Sequence, residues 1–331
     1  MGVTLNLTNN VSTFAQGNTR SPYKDVDSAC TEALWYRILS STAAVLTLLG
    51  NCLVIYLIGT RRRLHFATNF FILSLAVADL CVGAFVIPTS LLLHPPSTLL
   101  LRFYNAVLYV EVGNMFVMTW DRFKAVTRPL NYRSWMTTAR FSTMILLAWF
   151  VPGIISLCPL FWMFSSFNES QKQTYWRIFN SFSLIVFELT PCIAMLLIYC
   201  RIFAIARKHS KQISIQLEVS KCSSAETKSS NRRKVEKSSV KAIGLVVLFF
   251  IFCYTLSAYR MMCENWRFCS ISTLTIQISR LFLFWNSALN FCVYALLKTD
   301  IRRELLKCLT ISQMHNVRLK ICSKGVGGHK H

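Results

Sequence analysis

The sequence predicts an all-α membrane protein: a bundle of seven transmembrane helices followed by a short amphipathic eighth. Three observations carry this. Of 331 residues, 53% are hydrophobic and only 15% charged. The apolar residues fall into seven runs of about twenty, where a soluble core of this size would show short periodic pieces. The net charge of +22 is gathered in the connections and the tail, outside the runs.

In chain order the runs cover 37–60, 67–93, 99–120, 141–164, 175–199, 240–262 and 270–297. Each is long enough to cross a hydrocarbon core of about 30 Å at about 1.5 Å per residue, and only a helix satisfies its own backbone there. A polar leader over 1–36 precedes the first run, which is too long for the apolar part of a cleavable signal. The bundle with its eighth helix then occupies 37–309, and a cytoplasmic tail 310–331. Within the bundle, 208–241 is rich in Ser, Lys and Arg with almost no aromatic residue, so it reads as a mobile cytoplasmic loop with phosphorylatable serines.

Location decides what the basic surplus means. It lies in "TRRRLHF", "RFKAVTRPLNYR", "RIFAIARKHSK" through "NRRKVEKSSVK", and "KTDIRRELLK", which are the first, third and fifth connections and the tail. The positive-inside rule places these segments in the cytoplasm and the N-terminus outside. Nucleic acid is thereby excluded as the partner; anionic headgroups and protein docking both remain open. The sequons at Asn6, Asn10 and Asn168 fall on the predicted outer side, where glycans are added.

The thirteen cysteines sort the same way, most of them inside runs as small hydrophobes. Cys263 and Cys269 in "CENWRFC" face the oxidising side and are close enough to close a loop, a link worth roughly 2 kcal/mol. Cys30 is left over. Cys308, on the short amphipathic segment, is a candidate for palmitoylation or else a plain thiol. No repeat relates the two halves, which weighs against a duplicated transporter.

Polar groups inside spans are expensive and therefore mark function. Asn51 in "LLGNCLVI", Asp79 in "NFFILSLAVADL", the Asp121-Arg122 pair, Trp149, Pro191, Tyr199, and "NSALNFCVY" with Asn290 and Tyr294 occur in order, one set per helix. Together they resemble the rhodopsin-like G-protein-coupled receptors over 39–309. "TNFFILSLAVADLCVGAFVIP" and "CRIFAIARKH" are most similar to the biogenic-amine and trace-amine branch.

The resemblance implies a receptor and no enzyme, in the plasma membrane, whose partners are a heterotrimeric G protein, a small extracellular ligand, lipids, receptor kinases and arrestin. It implies that Asp121 holds Arg122 in a closed state and releases it toward Tyr199 and the G protein, with Tyr294 in the same switch, as a two-state latch. The alternative is that the pair merely marks the membrane border. Phe123 replaces the Tyr usual after the Arg. Pro129 and Leu130 are similar to the loop site that inserts an apolar residue into the G protein.

At mid-depth, Asn51, Asp79, Asn286, Ser287 and Asn290 match the family's sodium pocket, in which oxygen ligands hold a hard cation. Glu111, 11 residues before Arg122, adds a second carboxylate where the family has a small hydroxyl. Two carboxylates at one depth need a compensating cation or a shared proton; otherwise Glu111 turns to another polar partner.

The ligand pocket departs from the family. Tyr104 stands 18 residues before Arg122, where amine receptors carry Asp. The cysteine that begins the third helix is absent, with Ser97 near its place, and "FSSFNESQKQTYWRIF" lacks its partner. Tyr254 replaces the toggle Trp, while Leu256 and Phe291 replace two prolines, so the sixth and seventh helices are expected to lack their kinks. Glu188 and Arg280 then offer anchors for an amine or an anion, or pair with each other. Leu108, Ser183 and Ser257 are further wall residues. A decoy receptor with altered signalling, and a small cation transporter using Asp79, Glu111 and Glu188, stand as alternatives.

Overall fold

The computed structural model describes residues 34–93, 98–219, 226–266, 269–298, 300–308 and 310. Seven long helices form the bundle. The first span is Leu34–Thr60 and the second Ala67–Leu92. The third is Thr98–Thr127, and Pro129–Trp135 follows it as a short helix. The fourth runs Thr138–Met163. The fifth is built from Glu169–Ser183, Leu184–Leu189 and Thr190–Val219 without a break. The sixth is Glu226–Trp266 and the seventh Thr273–Leu297; residues 300–308 form the eighth, short helix.

Neighbours in the ring follow chain order. The first span packs on the second and seventh, the fifth on the sixth, and the sixth on the seventh. The third span touches the second, fourth and fifth and so occupies the middle. Among the described residues, five spans are long and apolar enough to cross a membrane on composition alone. The third and seventh are diluted by polar residues, among them Arg102, Glu111, Asp121, Gln277, Asn286, Ser287 and Asn290, all of them buried. The apolar surplus faces outward instead: Leu146, Leu147, Phe150, Ile154 and Leu157 of the fourth span are each more than half exposed, as a lipid-facing stripe requires.

Prolines leave local marks. Pro88 and Pro191 lack an N–H and collide with the carbonyl four residues back. Each is preceded by a π turn, Val82–Val86 and Leu184–Leu189, in which that carbonyl sits. The widened turn absorbs the mismatch without ending the helix. The sixth and seventh spans, where Leu256 and Phe291 replace proline, are unbroken α-helices.

Phe291 fills a particular place. A Cβ added at Gly50 would sit 2.0 Å from its ring, so the first span accepts this large side chain because residue 50 has none. Gly113 similarly lets the third span approach the fourth, an added Cβ lying 3.0 Å from the Ala148 carbonyl oxygen.

Within 208–241, expected as a mobile loop, the fifth helix continues to Val219 and the sixth begins at Glu226; 220–225 lie outside the described residues. Lys, Glu, Gln and Ser are adequate helix formers, and extending a helix already nucleated in the membrane avoids the cost of starting one.

Candidate functional site

Three polar layers lie along the bundle axis. In the middle layer Glu111, fully buried on the third span, accepts hydrogen bonds from Asn286 Nδ2 at 2.7 Å and Ser287 Oγ at 3.1 Å, both on Oε1. Its Oε2 accepts from the Tyr254 hydroxyl at 3.1 Å, and the same hydroxyl lies 3.3 Å from the Leu108 carbonyl oxygen. Glu111 thus ties the third span to the sixth and seventh.

Asp79, equally buried, accepts from Asn290 Nδ2 at 3.2 and 3.1 Å. It also lies within hydrogen-bonding reach of Glu111. Two carboxyl groups share a hydrogen bond only if one carries a proton. Asn51 Nδ2 donates to the Thr47 and Ser287 carbonyls at 3.0 and 3.4 Å. All six residues predicted for the ion pocket therefore meet in one cluster. The Oδ1 atoms of Asn51, Asn286 and Asn290 are buried without a protein partner. Those oxygens and the two carboxyls are a donor set that suits a hard cation.

Beside this cluster, Trp149 Nε1 donates to Ser74 Oγ at 2.9 Å, and Ser74 donates to Asn114 Oδ1 at 2.6 Å. The chain of bonds crosses the fourth, second and third spans. Ser74 and Asn114 escaped sequence reasoning, since nothing in one span announces a partner in another.

At the end of the bundle that carries the basic connections, Asp121 is fully buried. Arg122 Nε stands 3.8 Å from its Oδ2, a loose contact. Closer partners satisfy the carboxylate: Thr68 Oγ1 donates to Oδ2 at 3.0 Å, and the Tyr132 hydroxyl donates to Oδ1. Tyr132 belongs to the helix Pro129–Trp135, so Asp121 clamps that helix and the second span together. Burial, then the Asp121 charge beside it, pushes the Tyr132 phenol up to about 12. Pro129 opens the short helix and Leu130 is 94% exposed.

Tyr199 is half-buried on the fifth span beside Gly244 of the sixth, and its hydroxyl has no hydrogen-bond partner. Tyr294 lies near the end of the seventh span. Lys298, just past it, donates to Asn69 Oδ1 and lies over the Phe66 ring. Burial and then the Arg122 charge hold its ammonium well below the ordinary lysine range. Thr68, Tyr132 and Lys298 are functional candidates that the motifs did not include.

The layer at the opposite end of the bundle holds the predicted ligand residues. Glu188 is buried within the π turn of the fifth span; Ser257 bonds its carboxylate, and Oε2 has no partner. The nearby cation is Arg260 of the sixth span, which lies close enough to act on Glu188, Tyr104 and Arg280. Arg260 Nη1 is 3.2 Å from both Glu264 oxygens, and Nε is 3.3 Å from Ser279 Oγ. Tyr104 and Arg280 are half-buried; Leu108, Ser183, Tyr254 and Ser257 are buried. Arg260 was the missed residue, and its signal was a charge inside an apolar run.

The remaining candidates sit as follows. Cys263 and Cys269 are joined in a disulfide with Cα atoms 5.2 Å apart. Asn168 caps the fifth helix: its Oδ1 accepts from Gln171 N at 2.9 Å, and Gln171 Oε1 accepts from Asn168 N at 3.2 Å. Cys308 is half-buried, with Arg61 Nη2 3.5 Å from its sulfur. Asn6, Asn10, Cys30 and Ser97 lie outside the described residues.

Comparison with known proteins agrees with this architecture. Residues 50–294 match the model of the 7 transmembrane receptor (rhodopsin family). Trace amine-associated receptor 2 of Rattus norvegicus is 25% identical over 307 residues, 85% of this chain and 87% of the relative. The histamine H2 receptor of Cavia porcellus is 25% identical over 322 residues, 89% and 87% respectively. Trace amine-associated receptor 13c of Danio rerio is 28% identical over 263 residues, 70% and 72%. With its ring of seven helices and the ordered polar layers, the chain is a multi-pass membrane receptor that acts through G proteins, and no enzyme; it belongs to the rhodopsin family of seven-transmembrane receptors.

Proposed function

We propose that this receptor lies in the plasma membrane with its N-terminus outside and responds to a small amine whose ammonium group pairs with Glu188. The observation that carries the reading is the buried carboxylate whose Oε2 has no partner. A charge-assisted bond to a ligand ammonium would satisfy that oxygen and add to the Ser257 contact. Arg260 is committed to Glu264 and Ser279, so its charge lies near Glu188 without filling the free lone pairs of that carboxylate. Relatives with amines in their names support the ligand class.

Binding at the outer layer would bias the Tyr254–Glu111 contact below it and, through the sixth span, the cytoplasmic end. A sodium ion or a proton held between Asp79 and Glu111 would oppose that change. Receptor kinases and arrestin would then act on the serines of 208–241 and the tail. The basic first, third and fifth connections support the orientation.

The test is stimulated nucleotide exchange on G proteins in membranes carrying the receptor, with a panel of small amines and a matched panel of carboxylates. Amines should activate, Glu188→Gln should raise the effective concentration at least tenfold, and Arg122→Ala should abolish exchange for every agonist. Activation by carboxylates that is lost in Arg280→Ala would refute the amine reading. Sodium dependence of agonist binding should change in Glu111→Ser; an unchanged dependence removes the cation from this site.

A further inference from the structure

The charges gathered around Glu188 do not balance. The guanidinium groups of Arg102, Arg260 and Arg280, each buried or half-buried, outnumber the carboxylates of Glu188 and Glu264. Arg102 is stacked 4.4 Å from the centre of the Trp176 ring. The buried Tyr109 side chain lies within electrostatic range of Arg102, Glu188 and Arg260 together, and Tyr104 within range of Arg260 and Arg280. These groups therefore form one cluster.

Within it, Arg260 Nη1 is held by both Glu264 oxygens at 3.2 Å, and its Nε lies 3.3 Å from Ser279 Oγ. Arg280 follows Ser279 directly on the seventh span, and its charge acts on Arg260. Like charges held this close repel, the more so where little water screens them. A simple amine docked on Glu188 adds another cation to a cluster that is already positive. An anionic group between Arg260 and Arg280 removes the repulsion through forked, charge-assisted hydrogen bonds.

The spacing suits a single small molecule. Ser257, which bonds the Glu188 carboxylate, stands three residues before Arg260 on the sixth span. Residues three apart share a helix face, so the cationic anchor lies about 4.5 Å along the axis from the anionic one.

We propose that the ligand is an amino acid, its ammonium group on Glu188 and its carboxylate between Arg260 and Arg280. The inference rests on the amine reading of Glu188 and adds the acid, so that the site selects the zwitterion over the amine left when the carboxyl group is removed. Tyr104, half-buried beside both guanidinium groups, brings a phenol hydroxyl as a further donor to the same carboxylate.

The test uses the full-length receptor in membranes and reads nucleotide exchange on G proteins for matched triplets: an amino acid, its decarboxylated amine and its N-acetyl derivative. Phenylalanine, tyrosine, histidine and γ-aminobutyrate supply the triplets. In at least one of them the amino acid should act at a concentration roughly tenfold or more below its amine, and the acetylated acid should be silent. Arg280→Gln should bring that ratio down to about one, and Arg280→Lys should keep part of it, because the charge stays while the fork is lost. The amine response measured in the same variants shows that they fold. Glu188→Gln should weaken amino acid and amine alike. Absence of any preference for the amino acid, a preference that survives Arg280→Gln, or silence of every triplet at millimolar concentration would each overturn the acid subsite; the first two leave the amine reading standing. Amine and amino-acid responses that both ignore Glu188→Gln, or an acetylated acid as potent as its parent, would overturn the amine reading itself.

Discussion

Replacing Tyr254 by Phe removes one hydroxyl and nothing else of consequence, because the ring keeps its stack on Phe250 at 4.4 Å between centroids. The hydroxyl is bonded to Glu111 Oε2 at 3.1 Å and lies near the Leu108 carbonyl at 3.3 Å, all within the core. A hydrogen bond to a charged partner contributes about 1.5–3 kcal/mol, and a buried acceptor left without its donor suffers a similar penalty. At about 1.4 kcal/mol per tenfold, the arrangement that contains this bond loses roughly ten- to hundredfold in relative population. The lost bond joins the third and sixth spans, so the change should appear in the equilibrium between receptor states as well as in stability. The assays are thermal unfolding of the purified receptor and agonist-free nucleotide exchange. A double-mutant cycle with Glu111→Gln isolates the pair and should return a coupling of about 1 kcal/mol or more. Additivity within about 0.3 kcal/mol, together with unchanged basal exchange, would refute the claim that Glu111 acts through Tyr254.

Three further outcomes follow from the geometry. Gly50→Ala places a methyl group 2.0 Å from the Phe291 ring and should destabilise by about 1–3 kcal/mol; Phe291→Ala should restore most of that in a thermal melt. Tyr132→Phe should raise basal exchange by freeing the short helix from Asp121, with a loss of about 1–3 kcal/mol in stability. The Tyr132 phenol ionises near 12 in the folded receptor, above the ordinary value of about 10. Its stabilising contribution is therefore complete below pH of about 10 and disappears as pH rises through about 12, so an ultraviolet titration should lose one late-ionising tyrosine in the Phe variant. Trp149→Phe breaks the 2.9 Å bond to Ser74 and should lower stability by about 1 kcal/mol while leaving the G-protein response intact.

Amino-acid order alone determined the parts that depend on single helices. Seven runs of apolar residues, basic connections, and costly polar residues at Asn51, Asp79, Asp121 and Asn290 are local features, because a membrane span satisfies its own backbone and displays its exceptions openly. The convergence of Asn51, Asp79, Asn286, Ser287 and Asn290 is implied by the resemblance to the family's ion pocket, and counting about three turns back from Arg122 adds Glu111 at the same depth. Depth does not set rotation. Which face a helix turns inward, and which residue across the gap meets it, depends on packing between helices distant in sequence. Thus Asp121 takes Thr68 and Tyr132 in preference to a tight pair with Arg122, Glu111 takes Tyr254, and Arg260 stands beside Glu188. Within 208–241 composition suggests a mobile loop, while attachment to two anchored helices removes the nucleation cost, and the helices run on to Val219 and from Glu226.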